Sequence, residues 1–221
     1  MIIVIDGPAG SGKSSTAKAI ANRLNIRYLD SGALYRAITY LWINAGKPEK
    51  LSFFKMLPDV QLQVAPDEHT FHVIAKGINI TDKIRTQSVS ENVSTIAAFP
   101  EARAFINQFM RDLVKSDDYI ADGRDLGTAV FPDADLKFYM DASIKERAER
   151  RFAEMKDNNA TITLNEIVEN LEQRDHLDKN RKSDPLKKAE DAIFVDTTGK
   201  TFNEQVAEMA QIIKEKLKLK Q

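Results

Sequence analysis

The segment IIVIDGPAGSGKSS, residues 2–15, gives the clearest indication of the fold of this chain. Its apolar run Ile2–Asp6 predicts a buried β-strand, and the glycine-rich residues 7–12 predict a tight turn. An amphipathic helix follows, since apolar side chains recur at helical spacing at Ala17, Ile20, Ala21 and Leu24. Tyr28 and Leu29 then predict a second strand. This order of elements indicates a β-α-β unit, in which the two strands run parallel.

Residues 7–14 also satisfy the pattern G-x-x-x-x-G-K-[S/T] between a strand and a helix. Backbone N–H groups of such a loop surround the phosphates of a nucleoside triphosphate, Lys13 reaches the β- and γ-phosphates, and the Ser14 hydroxyl can ligate Mg²⁺. A glycine-rich turn that binds nothing would require neither the lysine nor the serine. We therefore expect ATP to be bound by Gly7, Pro8, Ala9, Gly10, Ser11, Gly12, Lys13, Ser14 and Ser15.

The rest of the chain alternates between short apolar runs and amphipathic stretches. Strands are predicted in DYIAD from Asp118, LKFYM from Leu136 and AIFVD from Ala192, with helices between them. Such alternation predicts an α/β fold with a parallel sheet covered on both faces. The stretch after Pro58 differs, because VQLQV, TFHVIA and INI read as short strands that pair locally and antiparallel. We interpret it as a small lobe inserted into the parallel frame.

Composition excludes several classes of protein. The chain has 221 residues, enough for one well-buried core, and its formal net charge of −1 lacks the basic excess of a nucleic-acid coat. It contains no cysteine, which excludes disulfide scaffolds and thiolate metal sites. No apolar run approaches the ~20 residues that span a bilayer, and Met1 leads into a strand without a basic or long apolar leader. We expect a cytoplasmic protein of one domain.

Charged residues follow the other predicted strands at the edge where sites of α/β sheets lie. DSGALYR, residues 30–36, opens a helix, and ADGRDLGT, residues 121–128, leaves a buried strand. In QRDHLDKNR, residues 173–181, helical spacing places Arg174, Asp178 and Arg181 on one face. One interpretation is that these two arginines and the aspartate bind a second anionic group. The alternative is an ordinary salt-bridged surface helix, which has the same spacing. The polar segment 156–163 is either a lid or a loose surface connection.

Taken together, these motifs resemble those of bacterial cytidylate kinases, in the nucleoside monophosphate kinase superfamily. The similar segments, in family order over most of the chain, are IDGPAGSGKS, LDSGALYR, IRTQSVSENVSTIAAFPEAR, ADGRDLGTAVFPDADLKFYMDAS, ERAERR and QRDHLDKNR. The resemblance implies a P-loop NTPase fold with five parallel strands, helices on both faces, a small antiparallel β insertion and a short lid. It implies one kinase domain with its core at 1–57 and 95–221, the monophosphate-binding insertion at about 58–94 and the lid at about 150–163.

The resemblance further implies direct transfer of the γ-phosphoryl group of ATP to CMP or dCMP, with Mg²⁺, in pyrimidine nucleotide metabolism. The implied catalytic residues are Lys13, Arg124, Arg147 and Arg151. The implied acceptor residues are Ser94, Arg103 and Asp125 for cytosine, Arg174 and Asp178 for ribose, Arg36, Arg124 and Arg181 for the phosphate, and Ser31 and Tyr35 lining the pocket. Glu101 departs from relatives that have a basic residue there.

The chemistry of the base agrees with that assignment. Cytosine offers an amine donor beside ring acceptors, which a carboxylate such as Asp125 and a donor such as Arg103 complement, whereas uracil reverses part of the pattern. The alternatives are a kinase of another small acceptor (UMP, AMP or shikimate) and a non-catalytic nucleotide-binding module or switch, although no Asn-Lys-x-Asp segment for guanine is found. The expected partners are ATP and CMP or dCMP, without nucleic acid or membrane, and a monomer is expected.

Overall fold

The computed structural model describes residues 1–66, 71–156 and 163–217. Its strands are β1 Ile2–Asp6, β2 Arg27–Asp30, β3 Gln63–Pro66, β4 Phe71–Ala75, β5 Ile78–Asn79, β6 Tyr119–Gly123, β7 Leu136–Asp141 and β8 Ile193–Asp196. Its helices are α1 Lys13–Leu24, α2 Ser31–Asn44, α3 Lys50–Lys55, α4 Gln87–Ala97, α5 Pro100–Leu113, α6 Ile144–Lys156, α7 Leu164–Asn180 and α8 Phe202–Leu217. Short 3₁₀ turns occupy Leu57–Val60 and Lys83–Arg85, and a π-helical turn occupies Leu126–Val130.

The main sheet has five parallel strands in the order β2-β6-β1-β7-β8, which confirms the predicted fold class. Side chains of β1 alternate between two cores, as a strand buried on both faces requires. Ile3 and Ile5 pack with α1 and α8, whereas Val4 packs with α2 and α5. The register pairs Asp6 with Gly123, and Asp30 with Asp122. The carboxyl ends of the three strands β1, β2 and β6 therefore meet at one edge.

The antiparallel sheet β3-β4-β5 confirms the predicted β lobe. Its first strand begins later than expected, at Gln63 and not at Val60. The cause is local, because residues 57–60 form a 3₁₀ turn and Gln61 has a left-handed backbone with φ 48°. Ser94, the predicted end of the insertion, lies inside α4, so the boundary of the insertion remains a prediction.

The helices next to the sheet agree with the sequence pattern. The predicted break at Phe99 and Pro100 separates α4 from α5. Of the expected lid, residues 150–156 belong to the end of α6 and Thr163 caps α7, while residues 157–162 lie outside the described residues. Over the described ranges 1–66, 71–156 and 163–217, no helix combines the length and the apolar character needed to cross a bilayer.

Candidate active site

The predicted phosphate loop joins β1 to α1 at the carboxyl edge of the sheet. Gly7 must be glycine, because a Cβ there would lie 2.0 Å from the carbonyl oxygen of Met140 on the neighbouring strand. Gly12, at φ 88°, precedes α1 without a side-chain cap on the helix. The first turn of an α-helix has amide groups without intrahelical partners, and they favour an anion. The loop therefore has the geometry of a phosphate site.

Lys13 folds back over this loop. Its Nζ donates to the carbonyl oxygen of Pro8 and lies 3.3 Å from the Ser11 hydroxyl oxygen. Burial lowers the pKa of Lys13 to about 7, and the nearby Arg124 guanidinium lowers it too. A bound phosphate would stabilise the charged amine, so the loop supplies a cation whose charge increases when an anion arrives.

Asp122, at the end of β6, joins the loop to the sheet. It accepts hydrogen bonds from the Ser14 hydroxyl at 2.7 Å and from the Tyr28 phenol at 2.7 Å, one on each carboxylate oxygen. Burial raises the pKa of Asp122 to about 6, with a further contribution from the charge of Asp30. A hydroxyl and a carboxylate side by side are the oxygen donors that Mg²⁺ prefers.

Asp6, at the end of β1, fixes the segment that follows β6. Its two oxygens accept hydrogen bonds from the backbone amides of Leu126, at 2.9 Å, and Gly127, at 2.7 Å. Burial raises the pKa of Asp6 to about 6 despite these bonds. These bonds fix the segment that begins with Arg124 and Asp125, and Arg124 lies close enough to Lys13 for its charge to lower the pKa of that amine.

Asp125 lies at the centre of a buried set of ion pairs, the Arg–Asp network, which comprises Arg103, Arg124, Asp125, Asp178, Arg181 and Asp184. Its carboxylate bonds Arg103 through one oxygen and Arg181, at 2.7 Å, through the other. Burial raises the pKa of Asp125, whereas the two arginines lower it. The ring of Tyr35 lies 5.6 Å from the guanidinium carbon of Arg103. The predicted cytosine pair thus meets in one buried place.

The predicted face of α7 contributes the other half of the network. Asp178 accepts from Nε of Arg124 at 2.9 Å and lies 3.6 Å from Arg181. The side chains of Arg181 and Asp178 are only 7% and 14% exposed, so the alternative of a solvated surface helix is wrong. Arg174 has a buried Nε without a hydrogen-bond partner, and burial, followed by the charge of Arg124, lowers its pKa to about 10. An unpartnered buried N–H group favours a ligand that offers a hydrogen-bond acceptor.

Two further predicted residues lie on α2. The Ser31 hydroxyl donates to the backbone oxygen of Asp122 at 2.7 Å, and Arg36 donates to the Ser90 hydroxyl oxygen on α4 at 2.8 Å. Burial lowers the pKa of Arg36. Ser94 lies one helical turn beyond Ser90 on α4, a helix whose last residue, Ala97, accepts from Arg103 at 3.3 Å. Helix α4 therefore contacts both Arg36 and Arg103.

The arginines of α6 have different surroundings. Arg147 is buried and donates to the carbonyl oxygen of Ala9, at 2.9 Å, and pairs with Asp175 on α7 at 2.8 Å. Arg151 is 43% exposed and pairs with Glu154 on its own helix at 3.1 Å. Arg150, to which no role was assigned, donates to the backbone oxygen of Thr197 at 2.8 Å. Arg147 thus supports the phosphate loop from behind.

Comparison with known proteins agrees with this geometry. The family model described as Cytidylate kinase matches residues 3–215. The chain belongs to the cytidylate kinase family. The cytidylate kinase of Carboxydothermus hydrogenoformans is 39% identical over 215 residues, covering 96% of this chain and 97% of the relative. That of Clostridioides difficile is 39% identical over 217 residues, covering 96% and 98%. An uncharacterized protein from Eubacterium ventriosum matches with a TM-score of 0.55 at 10% identity, covering 96% of this chain and 98% of that one, which supports the fold alone.

In this cytidylate kinase family member, the residues predicted from the motifs lie along one edge of the sheet. They belong to the loop after β1 and the start of α1, to α2, to the segment after β6, and to α4, α5, α6 and α7 with its C-terminal end. Residues that contribute to the site but received no role from the sequence are Asp6, Tyr28, Asp122, Asp175 and Asp184. The signal for Asp6 and Asp122 was present, because each is a carboxylate at the end of a buried strand. The others depend on contacts between distant segments.

Proposed function

We propose that the chain transfers the γ-phosphoryl group of ATP to CMP or dCMP, giving ADP and CDP or dCDP. The observation that carries this proposal is the position of Asp125, which pairs with Arg103 and Arg181 beside the phosphate loop. Membership of the cytidylate kinase family supports the same reaction. A module that only bound a nucleotide would not need a second buried group of arginines next to its phosphate loop.

The roles proposed for the acceptor site are those that the family resemblance implies, and the chemistry of the base agrees with them. Asp125 accepts from the exocyclic amine of cytosine, Arg103 donates to a ring acceptor, and Ser94 contributes a hydroxyl. The ribose is bound by Arg174 and Asp178. The acceptor phosphate is bound by Arg36, Arg124 and Arg181, with Ser31 and Tyr35 lining the same pocket. Arg174 supports this arrangement because its buried Nε has no hydrogen-bond partner within the protein, so a ribose hydroxyl oxygen can accept from it.

Phosphoryl transfer needs no covalent intermediate on the protein, because the acceptor is a phosphate oxygen already ionised at neutral pH. Positioning and neutralisation of charge supply the catalysis. Lys13 and Arg124, which lie close enough for their charges to interact, hold the two polyanions together. Ser14 and Asp122 have the donor chemistry for Mg²⁺, which neutralises phosphate oxygens when it is bound.

The arginines of α6 receive distinct parts in this proposal. Arg147 keeps the phosphate loop in place through the carbonyl oxygen of Ala9. Arg151 is the lid arginine that approaches the phosphates, because its side chain is exposed. It also lies close enough to Arg36 and Arg174 for its charge to lower their pKa values, although burial is the larger cause of both shifts. Closure of the lid and of the insertion would exclude water. The monomeric state and the cytoplasmic location stay predictions.

The test is release of ADP from Mg-ATP with a panel of acceptors: CMP, dCMP, UMP, AMP, shikimate and none. We expect CMP and dCMP to be phosphorylated fastest. For UMP we expect kcat/KM to be lower by about 10- to 100-fold, as the ~1–3 kcal/mol of an unpaired buried group allows. A faster reaction with another acceptor would overturn the specificity assignment. ATP binding with no acceptor phosphorylated would instead support a binding module.

A further inference from the structure

The loop that follows α7, residues 181–186, contains a carboxylate that the proposed reaction does not use. One bond ties this loop to α7, because the amide of Leu186 donates to the carbonyl oxygen of Asp178 at 2.8 Å. A second lies within the loop, where Nε of Arg181 donates to the carbonyl oxygen of Asp184 at 2.7 Å. Asp184 itself has a left-handed backbone with φ 47°. This conformation is uncommon outside glycine, although Asp and Asn tolerate it best. The surrounding contacts therefore set the position of Asp184.

The side chain of Asp184 is directed at the nucleobase residues. Its Oδ2 accepts from Nε of Arg103 at 2.8 Å, while Asp125 bonds NH2 of the same guanidinium. The Arg103 side chain is 2% exposed and that of Asp184 is 34% exposed. Two carboxylates thus hold one planar cation on two of its nitrogens, which fixes both its place and its rotation.

The geometry points to Asp184 as a positioning residue that determines nucleobase specificity through Arg103. Asp125 already bonds two arginines, and in the proposed complex it must also accept a hydrogen bond from the base. Because Asp184 also bonds Arg103, the ion pair between Arg103 and Asp125 is weakened. The carboxylate of Asp125 can then accept a hydrogen bond from the amine of cytosine, which uracil lacks. This inference rests on the proposed phosphorylation of CMP.

Two variants separate charge from backbone. Asp184→Asn keeps the shape and tolerates the left-handed backbone but loses the charge, and Asp184→Gly removes the side chain without strain. The matched control is Asp191→Asn. Asp191 also follows α7 and pairs with a buried cationic side chain, that of Lys137, at 2.8 Å, but this pair is outside the Arg–Asp network. For each protein we would measure kcat and KM with CMP and with UMP, KM for ATP, and thermal unfolding.

We expect both Asp184 variants to raise KM for CMP by about five- to tenfold, the loss of one charge-assisted hydrogen bond, with kcat changed less than about twofold. The ratio of kcat/KM for CMP to that for UMP should fall at least about threefold, while KM for ATP stays unchanged. The control should match the wild type in all of these kinetic constants. A merely structural role of Asp184 would lower the thermal midpoint without changing the ratio of CMP to UMP.

Combining Asp184→Asn with Arg103→Lys tests the route of the effect. If Asp184 acts through Arg103, the combination has the same ratio of CMP to UMP as Arg103→Lys alone. Independent effects that multiply would overturn the inference, as would a wild-type KM for CMP and an unchanged ratio in Asp184→Asn. A wild-type enzyme that fails to phosphorylate CMP would overturn the proposed function itself, so the two failures are distinguishable.

Discussion

Replacing Asp125 by alanine would remove the carboxylate that two buried arginines share. Breaking a buried ion pair costs about 3–5 kcal/mol of unfolding free energy when an unpaired charge remains. Arg103 would still bond Asp184, and Arg181 would still lie near Asp178, so we expect the lower end, about 3 kcal/mol. In a domain of this size each kcal/mol shifts the thermal midpoint by about 2–4 °C, which predicts a decrease of about 6–12 °C.

The effect on activity should exceed the effect on folding. Without Asp125, the amine of cytosine loses its acceptor and the arginines lose the group that orients them, so we expect kcat/KM for CMP to fall by about 100-fold or more. KM for ATP should change less than about twofold, because the contacts of Lys13 and Ser14 do not include Asp125. The assay is ADP release with varied CMP and with varied ATP, well below the unfolding temperature of the variant.

Asp191→Ala is the control for this experiment, since it also removes the carboxylate partner of a buried cation, Lys137, while leaving the site intact. It should lower stability modestly, with the activity on CMP unchanged. Equal losses of CMP phosphorylation and of ATP affinity in Asp125→Ala would refute the assignment of Asp125 to the base. An unchanged kcat/KM for CMP would refute it as well.

Two other predictions concern Arg147, behind the phosphate loop, and the buried carboxyl group of Asp6. Arg147→Lys keeps the charge but cannot bond both Ala9 and Asp175 as the guanidinium does. We therefore expect KM for ATP to rise about five- to tenfold with KM for CMP unchanged, whereas a fall in kcat alone would favour direct contact of Arg147 with the phosphates. Burial raises the pKa of Asp6 from 3.8 to about 6, so its contribution to stability is present below pH 4 and is lost as the pH rises through about 6. Denaturant unfolding should therefore show that the wild type loses up to about 3 kcal/mol of unfolding free energy relative to Asp6→Asn between pH 4 and 7. A difference in unfolding free energy that does not change with pH would contradict this prediction.

The parallel fold could be predicted because its signals are local. The strand Ile2–Asp6, the glycine-rich turn and the helix after it follow one another in the chain, and each has its own pattern. The prediction was wrong in detail at Val60, where a 3₁₀ turn precedes the strand. There the left-handed backbone of Gln61 interrupts the alternation of apolar and polar residues. Glutamine is not a residue type that predicts such a backbone conformation.

The relative placement of motif residues could be predicted where they share one element, while their roles stay predictions. The spacing of Arg174, Asp178 and Arg181 placed them on one helix face, which the structure shows turned toward Arg124 and Asp125. Spacing alone could not exclude a surface helix, because burial depends on what packs over the face. The role of Arg147 in supporting Ala9 was not foreseen for the same reason, since the two residues come from separate segments of the chain.

The β-α-β order, the phosphate loop and the family-like set of arginines could be predicted before the fold was known, because they depend on residue type and on spacing along the chain. The pairing of each carboxylate with its arginine could be established only from the folded structure. Asp125, Asp178 and Asp184 each lie within reach of arginines from different segments, and the pairing depends on distances of a few ångströms across the sheet edge. Ion pairing in a buried site is governed by such distances and by the exclusion of water, neither of which residue order alone specifies.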